Sequence, residues 1–105
     1  DAEALLALLA KIPQVVLCGD FNVPRGHNPI YEKLSGRYLD AIPPHYVSSV
    51  NLELHRLGKD PQESKNLAKF MVDYIFLSPG YRAENVRLES NVSDHMAVVG
   101  DILAV

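Results

Sequence analysis

Three short stretches of this sequence carry residue types whose spacing can do chemistry. In Gly19-Asp20-Phe21-Asn22, a carboxylate and a carboxamide stand two positions apart, just past the apolar run Val15-Val16-Leu17-Cys18. A carboxylate so placed suits the orientation of a water molecule, and an amide suits the holding of an oxyanion. In Val72-Asp73-Tyr74-Ile75-Phe76 one acid is set into an apolar strand, where an unpaired charge is costly and a partner is needed. In Ser93-Asp94-His95 an imidazole follows an acid on a loop. An aspartate facing a histidine fixes its tautomer and stabilises the imidazolium, which makes Asp73 and His95 a candidate pair. Asp94 offers carboxylate oxygen to a hard divalent cation. Together these groups suit metal-assisted phosphoester hydrolysis.

Each group also has a plainer reading. Asp20 and Asn22 fit an Asx turn that bonds only its own loop, Asp73 fits a turn cap, and Ser93-Asp94 fits an ordinary polar turn. His27, His45 and His55 read as surface residues, because no motif sets a carboxylate beside them. Cys18, inside the apolar run, reads as a buried, inert thiol.

The elements that must position these groups follow from local pattern. Asp1 caps a helix over residues 2–11 carrying Leu5, Leu6, Leu8 and Leu9, and Ile12-Pro13 stops it. The apolar run closed by Gly19 predicts a strand over 15–19 buried on both faces. Val23-Pro24-Arg25-Gly26 is loop chemistry, and Asn28-Pro29 opens a second helix that ends at Ser35-Gly36. Tyr38–Ala41 reads as a brief extended piece. Residues 46–57 fit both periods, and the helical spacing of Val47, Val50, Leu54 and Leu57 gives a helix stopped by Gly58. Asp60-Pro61-Gln62-Glu63 is a capping box for a helix to about Lys69. Met71–Leu77, Val86–Leu88 and Met96–Val105 read as strands. Strands 15–19, 71–77 and 96–103 are expected in one mixed sheet, with helices 2–11 and 29–35 on one face. If the first strand runs opposite to the other two, Asp20, Asp73 and His95 meet at one edge.

The bulk numbers narrow the classes. A chain of 105 residues, 48% hydrophobic, makes at most one domain with a modest core. Its net charge of -3 provides no global basic field for nucleic acid. A single cysteine excludes an internal disulfide framework and a cysteine-built zinc site. No run reaches the roughly twenty apolar residues of a membrane-spanning helix, and no signal peptide opens the chain. The start on Asp1-Ala2-Glu3, without methionine, leaves room for an upstream portion, and localisation is left open.

At Gly19-Asp20-Phe21-Asn22, Asp73-Tyr74-Ile75-Phe76 and Ser93-Asp94-His95 the chain resembles the endonuclease/exonuclease/phosphatase superfamily, in that family's order and at its relations to strands. Leu17-Cys18 before the first motif, Val23-Pro24 after it, and Tyr31 and Leu34 add to the likeness. The resemblance implies an α/β fold, here one sheet-and-helix layer, the C-terminal half of the four-layer deoxyribonuclease-I-like sandwich, with residues 1–105 the C-terminal part of that domain. It implies that Asp20 orients or deprotonates the attacking water and that Asn22 contacts the scissile phosphate. Asp73 orients His95, which stabilises the pentacovalent phosphate, while Asp94, and with it Asp20, lies at the metal site. The implied cofactor is Mg2+, or Mn2+, weakly bound or absent here because no strand-borne glutamate precedes Asp20 and Glu3 lies in a helix.

The implied substrates are phosphoesters: nucleic acid, nucleotide, inositol phosphate or phospholipid head group. The implied partner is the N-terminal half of the domain, and without it the chain should self-associate and be inactive. Two other readings stand beside the hydrolase, a non-catalytic member of the superfamily and an unrelated α/β interaction module. Residues 40–70 are the longest irregular region, and Arg56, Lys59, Lys65 and Lys69 there read as a solvated face or a phosphate-facing patch.

Overall fold

A computed structural model describes residues 1–105. In chain order its elements are α1 (Ala2–Leu9), β1 (Val16–Asp20), α2 (Pro29–Ser35), β2 (Leu39–Asp40), α3 (Pro61–Leu67), β3 (Asp73–Leu77), β4 (Tyr81–Glu89) and β5 (Ala97–Ala104). Each helix begins where a side-chain oxygen takes up N–H groups that the first turn leaves free. Asp1 accepts from Ala4 N–H at 2.8 Å, Asn28 from Ile30 and Tyr31 at 2.9 and 3.2 Å, and Asp60 from Gln62 and Glu63 at 2.8 and 3.1 Å. Only half of the expected capping box forms, because the Asp60 N–H donates to Leu57 O at 3.1 Å.

β3 is the centre of the molecule. It runs antiparallel to β1 on one side and to the short β2 on the other. Its alternate residues Tyr74 and Phe76, at 1% and 0% exposure, face a core that Leu34 of α2 and Tyr38 complete. The rings of Phe21 and Tyr31 pack on the same pair, with centroids 5.6 to 6.3 Å apart in edge and tilted contacts.

The architecture is α/β, as expected, and three details differ. The last strand is not in the central sheet. β4 extends well beyond residues 86–88 and pairs with β5 from Tyr81–Ala104 to Glu89–Ala97, forming a separate two-stranded antiparallel sheet. The short return between these neighbours lets β5 find its hydrogen-bond partner locally, and the central sheet is then antiparallel rather than mixed.

The second difference lies in residues 46–57, which form no helix. Over 49–51 the backbone bonds to distant chain instead, Ser49 N–H to Phe70 O at 3.2 Å, Asn51 N–H to Asp94 O at 2.8 Å, and Met96 N–H to Ser49 O at 2.7 Å, and residues 54–58 close only isolated turns. Backbone groups committed in this way are not free to close helical turns. Gly58 is therefore not a helix stop. A Cβ there would lie 1.8 Å from Leu52 O, so a tight fold of the chain on itself demands glycine.

Third, β1 is not buried on both faces, and Cys18 is exposed. Alternation sends Val16, Cys18 and Asp20 to the face of the sheet opposite Tyr74 and Phe76, away from the helices.

Candidate active site

The site forms where β1 ends and β3 begins. The antiparallel register sets Asp20 directly across from Asp73. Phe21 N–H donates to Val72 O at 3.0 Å, so the adjacent Asp20–Asp73 couple is a non-hydrogen-bonded pair, in which side chains stand closest. Two carboxylates facing each other across strands repel, and they persist where a positive group lies between or beside them.

His95, when protonated, is such a group. Its Nδ1 is 2.7 Å from Asp73 Oδ2, with the imidazole side chain 27% and the carboxylate 13% exposed. An ionised carboxylate only accepts, so Nδ1 carries the proton and Nε2 is left for chemistry. Burial of the ring opposes its charge. The hydrogen bond to Asp73, and the charges of Asp73, Asp20 and Asp94, outweigh that effect and hold the His95 pKa above its ordinary value.

The donor atoms of Asp20, Asp73 and His95 lie within 4.8 Å of one another. Such a trio is rich enough in ligand atoms to hold a metal, but the Nδ1 bond occupies His95 and one Asp73 oxygen with each other. Asp20 is the open member. Its Oδ1 accepts from Asn22 N–H at 2.8 Å, forming the Asx turn, and its second oxygen accepts no hydrogen bond from the chain. The turn and the functional reading of Asp20 are therefore compatible.

Asn22 sits in the left-handed region at φ 53°, a conformation asparagine tolerates better than most residues, and its carboxamide stands exposed. The loop that carries it is tied down from two sides. Tyr74 Oη donates to Val23 O and Met71 O at 2.8 and 2.6 Å, and burial pushes its phenol well above the ordinary tyrosine range, so it stays a donor. Arg25 bonds Asp40 at 3.0 Å and the carbonyls of Pro43 and Tyr46 at 3.1 Å, with Ile42 O a further partner. Asp94 is exposed, and its carboxylate stands outside the convergent trio.

Sequence reasoning missed Ser48-Ser49-Val50-Asn51, which runs between the start of β3 and the His95 loop, with Val50 bridged to His95. No local signal marks it, because its partners are distant in sequence. Beside the trio lies an open cavity of about 290 Å³, lined among others by Cys18, Ile75, Met96 and Val98.

Residues 1–95 match the model of one known family, described as the Endonuclease/Exonuclease/phosphatase family, and the match ends on the histidine of the trio. No curated protein and no solved structure matches the chain.

Proposed function

The chain belongs to the endonuclease/exonuclease/phosphatase family, and on that premise we propose that it serves divalent-metal-dependent phosphoester hydrolysis by attack of water on phosphorus. The observation that carries this is the 2.7 Å Asp73–His95 bond with Asp20 alongside. Asp20, through the oxygen its turn does not use, orients the water and takes its proton. The Asn22 carboxamide donates to a phosphate oxygen. As the water oxygen bonds to phosphorus, the ester P–O bond opposite it breaks, and the leaving oxygen departs as the alkoxide or takes a proton from solvent. Protonated His95 meanwhile donates from Nε2 to a non-bridging oxygen, and Asp73 holds the ring at Nδ1.

The open carboxylates are hard oxygen donors, which fit Mg2+ or Mn2+ better than a softer ion, and Asp94 and Asp20 would hold it. A bound cation neutralises phosphate charge and makes water more acidic. Two protein oxygens are few for an ion that demands near-octahedral geometry, so these residues alone bind it weakly or not at all. The substrate is a phosphodiester or monoester of nucleic acid, nucleotide, inositol phosphate or phospholipid head-group type.

Residues 1–105 act in this account as the C-terminal part of a larger domain. Its support is apolar surface left at the flanks of the central sheet: Val16 and Leu39, both opposite Leu77 in register, stand 43% and 62% exposed, while Leu77 between them is buried. A second sheet-and-helix layer would cover them, and without it the chain self-associates.

The test is hydrolysis of bis(p-nitrophenyl) phosphate with magnesium by the longer protein. His95→Ala and Asp20→Asn should each lower turnover by at least about 100-fold. Near-normal rates for both at saturating magnesium would refute the hydrolase and favour a binding role.

A further inference from the structure

We propose that Ser49 is a positioning residue for the Asp73–His95 pair, joining the strand that carries the acid to the loop that carries the imidazole. The inference rests on the reading of that pair as catalytic. β2 covers the outer edge of β3 only at Phe76 and Leu77, with Ala41 N–H reaching Ile75 O at 2.9 Å. The start of β3 on that side has no strand neighbour. Because Asp20 and Asp73 form a non-hydrogen-bonded pair, the Asp73 N–H points away from β1 and needs an acceptor elsewhere.

Ser49 Oγ is that acceptor. It takes the N–H of Asp73 at 3.2 Å and that of Val72 at 3.1 Å, and the residue is wholly buried. Its carbonyl accepts Met96 N–H at 2.7 Å on the opposite side, and the flanking Asn51 N–H donates to Asp94 O at 2.8 Å. One residue is thus bonded by its side chain to the backbone of Asp73 and by its main chain to the residue after His95. The Asp73–His95 bond joins residues 22 apart in sequence, and no other strand pairing holds their backbones together. Loss of the hydroxyl leaves two N–H groups without an acceptor, that of Val72 buried and that of Asp73 half-buried, and lets Asp73 shift relative to the ring. A displacement of about 1 Å at such a pair is enough to cost an enzyme much of its rate.

The test reads the pair directly, on the chain as it stands, by imidazole-edited nuclear magnetic resonance at one fixed pH. Wild type should show a slowly exchanging, far-downfield Nδ1–H resonance from His95, absent in Asp73→Asn. Ser49→Ala should lose or broaden that resonance while the β1–β3 cross-strand amide contacts persist, and Ser49→Thr, which keeps the hydroxyl, should retain it. Ser49→Cys fills the same space with a poor acceptor, keeps the test open should the alanine variant not fold, and should behave as alanine does. In the magnesium assay of the longer protein, Ser49→Cys should lower kcat about 10-fold or more with KM little changed. An unaltered Nδ1–H resonance in folded Ser49→Ala or Ser49→Cys would overturn the proposal, as would its absence from wild type. Coupling of Ser49 to the resonance without any hydrolysis would instead overturn the hydrolase reading and leave the positioning role standing.

Discussion

His95 is held to Asp73 by one short bond, and that bond gives it a pH signature. A histidine whose pKa is raised on folding adds stability that is fully present below its unfolded value near 6.5 and disappears as pH rises through the folded value. Its ring titration, followed by nuclear magnetic resonance, should have a midpoint above 6.5, and Asp73→Asn should lower it. A wild-type midpoint at or below 6.5 would remove the case for a charged ring donating to phosphate. In the proposed mechanism Asp94 acts differently, through a cation. In the longer protein, Asp94→Ala should lose activity that raised magnesium partly restores, whereas magnesium should not rescue His95→Ala. Equal rescue of both, measured as initial rate against magnesium concentration, would contradict the separate roles.

At the scale of elements, two close fits decide how loops meet the sheet. Arg25 leaves the β1 loop and ends among Asp40, Tyr46 and the 42–43 carbonyls, with its side chain 19% and that of Asp40 8% exposed. Removing the guanidinium leaves Asp40 with Tyr31 Oη and its own turn, short of a countercharge. Arg25→Ala should therefore cost about 2–4 kcal/mol in urea unfolding, and Arg25→Lys should recover only part, since an ammonium cannot reach so many acceptors at fixed angles. Gly58→Ala would drive a methyl into the Leu52 carbonyl, and backbone cannot yield there as a flexible side chain does. A loss of about 1–3 kcal/mol is expected by the same measurement. A neutral Gly58→Ala would mean that the 52–58 fold opens easily.

The whole molecule is one central sheet, a β4–β5 hairpin and three short helices, and one face of that sheet, though covered at Ile75 and Leu77 of β3, is open along β1 and at Leu39. Val16, Cys18 and Leu39 lie on or beside it, and Cys18 is the only cysteine. Apolar surface of this kind draws a partner, so sedimentation velocity should show concentration-dependent association. Val16→Lys with Leu39→Lys should shift the chain towards monomer without unfolding it, because neither side chain is in the core. A wild-type monomer across the concentration range would argue that the face needs no cover.

Sequence alone determined what depends on near neighbours. Asp1, Asn28 and Asp60 cap three helices because a cap bonds within three residues, and the strand carrying Tyr74 and Phe76 follows from its β-branched and aromatic composition. It also named Asp20, Asp73 and His95, since residue types and motif order survive without coordinates. Only the tertiary structure decided what depends on distant pairing. It sent β5 to β4 rather than to the central sheet, and opened one face of β1 to solvent with Cys18 on it. It also turned 48–51 from an expected helix into the link between Asp73 and His95. The reason is that periodicity records which side chains tend to be buried, whereas a backbone N–H bonds whichever acceptor the fold brings to it.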